Sequence, residues 1–267
     1  MKLSIVVSTQ PASFNAVAYK GRIKDNLENI KKLGYDGVEL AVRDPALLDV
    51  DEITSFLKQV KLPVPAIGTG QAYGEENLSF TDVNFDVRSR AIDRILSQID
   101  LAKKLNAVVI IGLVRGKSGV GISADQTESW LIHAMRECAS HDKSVKLVIE
   151  PINRYETDLI NTVESGMQFL DKLGKDNVGL LLDTFHMNIE EPSILDSIFT
   201  AKDRLFHFHV ADSNRWYPGA GHIDFREIFN LLERINYKGF VSAEIVPHPD
   251  PDTAAAKTIE TLKAIHK

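Results

Sequence analysis

Four residues in the second half of the chain have types and positions that could do chemistry together. Glu150 ends "LVIE", Asp183 ends "LLLD", His209 lies in "LFHFHV" and Glu244 ends "VSAE". Each stands at or near the end of a short apolar run. Taken singly, an acid in such a place is an ordinary cap or loop hydrogen-bonder, because Asp and Glu readily bond nearby backbone. As a set they read differently. Three carboxylates brought to one rim would repel one another and lose hydration. A divalent cation removes that conflict. Three carboxylates and one imidazole make an oxygen-rich set, which favours Mn²⁺, Mg²⁺ or Co²⁺ over a sulfur-bound structural Zn²⁺.

The elements that must position these residues alternate along the chain. Short β-rich runs fall at 3–8, 37–42, 63–69, 107–112, 145–150, 178–183, 205–210 and 239–246. Between them lie helical patterns. "RIKDNLENIKKLG" puts Ile23, Leu27 and Ile30 on one face and stops at Gly34, a natural C-cap. "VRSRAIDRILSQIDLAKKLN" repeats apolar residues at Ile92, Ile95, Leu96, Ile99 and Leu101. Further helices are expected near 125–141, 163–173, 193–200, 224–235 and 252–266, with Glu190 to Ser193 reading as a helix start.

This alternation predicts an α/β fold, a (β/α)8 TIM barrel, as a single domain over residues 1–267. The strands are nearly continuous in apolar residues, as expected when both sheet faces are covered. An open doubly wound sheet is the alternative, but "VVSTQPASFNA" after the first strand is no glycine-rich phosphate loop. Barrel sites lie at the C-terminal ends of strands. Side chains two apart share a face, so Glu150 aligns with Val148, Asp183 with Leu181, His209 with His207 and Glu244 with Ser242. The four can then point inward while Leu180 and Leu182 face the helices. His207 reads as barrel interior.

Composition narrows the function classes. The 267 residues carry a net charge of −6 with no dense basic block, which argues against a nucleic-acid partner. No apolar run approaches the ~20 residues of a membrane span. "MKLSIVVSTQ" is a short apolar run that reads as a first strand rather than a signal peptide, so a cytoplasmic protein is expected. The single Cys138 fits a reducing compartment and reads as a small buried hydrophobe.

Longer motifs carry a resemblance. "IEPINRYETDLINT", "LLDTFHMNIEEP", "HFHVADSNRWYPGAGHIDF" and "SAEIV" resemble the ketose 3-epimerases acting on D-tagatose and D-psicose, within the xylose-isomerase-like barrel superfamily. The resemblance implies that Glu150, Asp183, His209 and Glu244 hold one divalent metal ion, Mn²⁺ first among the candidates. It implies that Glu150 and Glu244 are the two acid–base groups, moving a proton off one face of the carbon beside a ketone and onto the other through an enediolate. It implies that Glu156, His186 and Arg215 serve the substrate, and that the chain forms a homodimer or homotetramer. On the residues alone, His186 could equally be a satisfied loop histidine and Arg215 a solvated surface arginine.

One departure bears on the substrate. Epimerases of free ketoses typically line the far end of the sugar with bulky aromatics, whereas here the first loop offers Phe14 and the fourth, "IIGLVRGKSG", no tryptophan. Arginines stand nearby instead, Arg43 in "AVRDP" and Arg115 in "GLVRG". An arginine fork suits a carboxylate. This pattern resembles the epimerases of inositol catabolism that interconvert 5-keto-L-gluconate and D-tagaturonate, so a keto-sugar acid is expected as the small-molecule substrate, with a neutral ketose (D-tagatose, D-psicose or L-ribulose) as the alternative. Arg43 and Arg115 could also be ordinary rim ion-pair partners. Three further readings are an aldose–ketose isomerase using the same residues, a DNA-repair barrel and a non-catalytic binding barrel. The first is distinguished by where solvent deuterium enters. The second needs more histidine ligands and a basic face.

Overall fold

A computed structural model describes residues 1–265. Eight parallel strands close on themselves: β1 (Lys2–Ser8), β2 (Glu39–Ala41), β3 (Ala66–Gly68), β4 (Val108–Ile111), β5 (Leu147–Ile149), β6 (Val178–Asp183), β7 (Leu205–Val210) and β8 (Phe240–Ala243). β8 pairs with β1, Leu3 opposite Val241 and Ile5 opposite Ala243, so no edge is left open. A two-residue bridge, Tyr19–Lys20, runs beside the end of β1. The expected (β/α)8 barrel is what the chain forms.

The strands sort their leucines as the alternation predicts. Leu181 packs inside the barrel with Ala66, Ile110 and Val148. Leu180 and Leu182 belong to the outer core between sheet and helices. Several observed ladders are shorter than the apolar runs that announced them. β5 stops at Ile149 and β8 at Ala243, which leaves Glu150 and Glu244 one residue past the ladder, each still donating its backbone N–H across the rim, to Ile111 O and Val210 O (3.3 Å each).

The surrounding helices include α1 (Ile23–Leu33), α2 (Val50–Val60), α3 (Gly70–Glu76), α4 (Phe85–Leu105), α5 (Ala124–His141), α6 (Val163–Leu173), α7 (Thr184–Glu190), α8 (Ile194–Ala201), α9 (Phe225–Arg234) and α10 (Pro251–Ile265). Position 266, the end of the last expected helix, lies outside the described residues. Local chemistry sets the boundaries. Gly34, at φ 89°, ends α1 as its C-cap. Thr162 and Ser165 form a capping box at α6. Three helices were not anticipated. α2 carries a readable signal, with Asp49 accepting from Glu52 N (2.8 Å) and Ile53 and Leu57 buried four apart. The short α3 and α7 sit over the barrel mouth.

The stretch from Glu190 to Ser193 corrects an expectation. Glu190 ends α7 instead of starting a helix, and its carboxylate is taken by Arg154 through Nε (2.9 Å) and Nη2 (2.8 Å). Glu191 accepts from Val163 N and Ser197 Oγ. Only Ser193 does the starting, as N-cap of α8. Among the described residues no helix is long and apolar enough to cross a membrane.

Candidate metal and active site

The barrel register brings the four strand-end residues together. Asp183 lies opposite His209, and His209 opposite Ser242, two residues before Glu244. One ligand atom from each of Glu150, Asp183, His209 and Glu244 lies within 4.8 Å of all the others. His209 Nδ1 is 3.9 Å from Asp183 Oδ2 and 3.8 Å from Glu244 Oε2. The first three are buried, and Glu244 is partly open to the cavity above.

Their electrostatics define what the cluster needs. Burial, then the neighbouring Glu244 carboxylate, pushes Glu150 well above the usual carboxylate range. Burial also raises Asp183, against the pull of Arg215. Three atoms in the cluster are buried without any hydrogen bond: Glu150 Oε1, Asp183 Oδ2 and His209 Nδ1. Buried polar atoms are nearly always bonded. Here the atoms without a hydrogen bond come one from each of three candidate ligands in a single cluster. Oxygen and imidazole donors so placed fit a divalent cation of the Mn²⁺, Mg²⁺ or Co²⁺ kind.

Asp183 does two jobs. Its Oδ1 accepts from Phe185 N (2.8 Å) and so caps α7, while Oδ2 faces the cluster. Three residues on, α7 presents His186, which is buried beside the site with Nε2 3.7 Å from Glu150 Oε1. Burial, and then Arg215 and Arg115, hold its pKa well below the ordinary histidine value, so the ring is neutral.

Arg215 is no surface arginine. It is 8% exposed. Its guanidinium donates to His186 Nε2 (3.2 Å) and to Glu244, stands 3.2 Å from Asp183 Oδ2, and lies over the Phe185 ring. Its backbone is left-handed, φ 64°, which a side chain adopts only when the surroundings hold it there. The holding is visible. Asp212 O accepts from Arg215 N (2.8 Å), and Arg215 O accepts from Val246 N (2.8 Å). The Asp212 carboxylate gathers the backbone N–H groups of Ser213, Gly219 and Ile223. Glu156 also lines the cavity, and Asn153 links it to His186 by donating Nδ2 to Glu156 Oε1 (3.0 Å) while lying 2.7 Å from His186 Nδ1.

Arg43 and Arg115 do not reach the cavity. Arg115 is fully buried, and its guanidinium donates to four backbone carbonyls, those of Leu159, Ile160, Gly112 and Glu150. Arg43 turns to Glu76, 3.6 Å away, in a cluster completed by Arg94 and Asp44. The expectation that these two would fork a substrate carboxylate is therefore corrected: one is a buried strut and the other an ion-pair partner.

Above the cluster lies a cavity of about 460 Å³, ample for a hexose-sized molecule. Phe14, Leu113, Ile152, Phe185 and Val246 form its apolar walls. The loop after β1 crosses the mouth and is tied to α3, with Ser13 N and Oγ both donating to Glu75 Oε1 (2.6 and 2.7 Å). Sequence reading missed Asn153, Asp212 and Glu39. Glu39 is 1% exposed inside the barrel and lies within hydrogen-bond distance of His207 and His209. The only signal for it was an acid inside an apolar strand, "GVELAV".

Residues 27–265 match the family model described as xylose isomerase-like TIM barrel, and the chain belongs to that family. Within it the chain is similar to L-ribulose 3-epimerase of Methylomonas sp., 31% identical over 87% of this chain and 87% of that enzyme. It is also similar to D-psicose 3-epimerase of Agrobacterium fabrum, 34% identical over 82% and 77% of the two chains. A crystal structure of D-allulose 3-epimerase from Methylomonas sp. in complex with D-allulose matches with a TM-score of 0.81 at 26% identity, covering 98% of this chain and 97% of that one. These relatives are sugar epimerases, enzymes of the isomerase class acting on carbohydrates.

Proposed function

We propose that the protein is a metal-dependent epimerase that inverts the carbon next to the ketone of a keto sugar. The observation that carries this reading is the meeting of three carboxylates and one imidazole within 4.8 Å at the floor of a sugar-sized cavity. Glu150, Asp183, His209 and Glu244 would hold the ion, Mn²⁺ by preference. When bound, it supplies a Lewis acid beside the ketone. Glu150 and Glu244 act from opposite faces of the substrate carbon. One carboxylate takes the proton, the C–H electron pair moves into the enediolate, and the other carboxylate delivers a proton to the far face. Arg215 donates toward the oxygens that gain negative charge, and the neutral His186 accepts from its guanidinium and holds it in place. Glu156, through Asn153, keeps His186 turned to the cavity.

Two tests follow from this reading. Treatment with a chelator should remove at least about 100-fold of the activity, a scale expected when a Lewis acid and its ligand cage are lost together. Added Mn²⁺, Mg²⁺ or Co²⁺ should restore it, and chelated protein of undiminished rate contradicts the metal scheme. In D₂O, label should enter beside the ketone at C3. Label at C1 or C2 would make the enzyme an aldose–ketose isomerase instead.

Of the two substrate classes, a neutral ketose is favoured by the charge of the cavity. Among the described residues no free arginine or lysine lines it, Arg215 is engaged by Asp183 and Glu244, and Glu75 and Glu156 put acids on its wall. A keto-sugar acid such as 5-keto-L-gluconate or D-tagaturonate is favoured by the sparse aromatic wall, to which only Phe14 and Phe185 contribute. Comparing kcat/KM for D-tagatose and D-psicose with that for D-tagaturonate decides between them. A tenfold preference, about 1.4 kcal/mol, for D-tagaturonate would overturn the neutral reading.

A further inference from the structure

The strand-two acid that sequence reading passed over has an arrangement that a filler residue does not need. Glu39 reaches across the barrel interior from β2 to β7. Its Oε2 lies 2.8 Å from His207 Nε2 and 3.0 Å from His209 Nε2, and its Oε1 lies 3.1 Å from His209 Nε2. All three side chains are buried. Among the described residues no lysine or arginine pairs with the carboxylate, so the two imidazole N–H groups are what compensate its desolvation. The rings of His207 and His209 stand edge to face, 5.2 Å apart, which leaves each Nε2 pointing at the same acid.

We propose that Glu39 is a positioning residue for the metal ion, acting through His209. A neutral imidazole carries one proton, on one nitrogen. By accepting the hydrogen bond at Nε2, Glu39 keeps that proton there and leaves the Nδ1 lone pair bare. Nδ1 is the atom that faces Asp183 and Glu244 without a hydrogen bond. The same bond fixes the rotation of the ring, and a carboxylate acceptor makes the ligating nitrogen more basic. His207 holds the other side of Glu39 in place. The inference rests on the proposed four-residue metal site. A rival arrangement uses the same atoms, because Glu39, His207 and His209 themselves lie close enough to hold an ion. It is disfavoured by hydrogen bonding: in that trio every candidate ligand atom already faces another at hydrogen-bond distance, whereas three buried atoms of the Glu150 cluster make no hydrogen bond.

Two measurements test this. Histidine ¹⁵N–¹H correlation spectra of the wild-type protein loaded with diamagnetic Mg²⁺ should show His209 protonated at Nε2. A proton on Nδ1 overturns the inference, and no variant has to fold for that result. Titration with Mn²⁺ should give one ion per chain for the wild type. Glu39→Gln should still take one ion per chain, with Kd weakened about 10- to 100-fold, the scale of lost support behind a ligating histidine. A Kd within about threefold of wild type, outside that scale, would refute the positioning role. So would a wild type holding two ions of which Glu39→Gln loses one, since Glu39 would then be a ligand. A wild type that binds no divalent ion at all defeats the metal site itself, which is a separate result.

Discussion

Glu150→Gln and Glu244→Gln should each lower kcat by on the order of 10²- to 10⁴-fold at saturating Mn²⁺, the range expected when a proton-transfer group is removed. Glutamine keeps the size of the side chain and one oxygen able to face a cation. It cannot carry the proton. The two losses should not be equivalent in one respect. If each carboxylate serves one face of the carbon, each variant should still exchange the substrate hydrogen of one epimer with D₂O while failing to invert it. Exchange would then survive from opposite epimers in the two variants. A loss below about tenfold in either variant would contradict the two-base scheme. Loss of exchange from both epimers in both variants would point to metal loss in place of base loss, and Mn²⁺ titration of the same samples separates those cases.

Arg115→Ala should fail in a different way, through the fold. The side chain is fully buried and satisfies four carbonyls, those of Gly112, Glu150, Leu159 and Ile160. Burial lowers its pKa to about 10, opposed by the Glu150 and Glu156 charges, so it remains a cation at neutral pH. Removing it strands buried acceptors at about 1–3 kcal/mol each, partly relieved by relaxation. It also opens a cavity. A loss of about 3–5 kcal/mol is expected, and at roughly 2–4 °C per kcal/mol for a chain of this size the melting temperature should fall by roughly 6–20 °C. Ile160, whose carbonyl Arg115 holds, has a left-handed φ of 55°, rare for a β-branched residue, so this loop needs the strut. A variant with unchanged melting temperature and a raised KM for D-tagaturonate would restore the substrate role expected from sequence.

The contrast between Arg115 and the metal cluster shows what was legible. Glu150, Asp183, His209 and Glu244 announce themselves because each interrupts an apolar strand at its C-terminal end, and barrel geometry sends all such ends to one rim. That inference needs only strand parity and the closed sheet. Arg115 was misread because residue type speaks for a charge at the rim, while its fate depends on where Leu159 and Ile160 pass, more than 40 residues away in the chain. Glu39 was missed for the same reason, since the partners that give it meaning are 168 and 170 residues distant. α2 was overlooked although its cap and its Ile53–Leu57 pair were present locally. The misplaced helix start at Glu190 came from reading acids before a proline as dipole partners, when one closes α7 against Arg154.

The double role of Asp183 has a consequence for tolerance. One oxygen begins α7 and the other faces the candidate metal cluster, and His186 follows within the same helical turn. The offset between the candidate metal cluster and the backbone of His186 is therefore gauged by covalent geometry, by bond lengths and one turn of helix, while Asn153 and Arg215 hold the ring. Repacking elsewhere in the barrel shifts the two as one rigid piece. A drift that changed their spacing would have to break the helix start itself, so the active site carries its own ruler in three consecutive residues, Asp183 to Phe185, and the histidine that follows them.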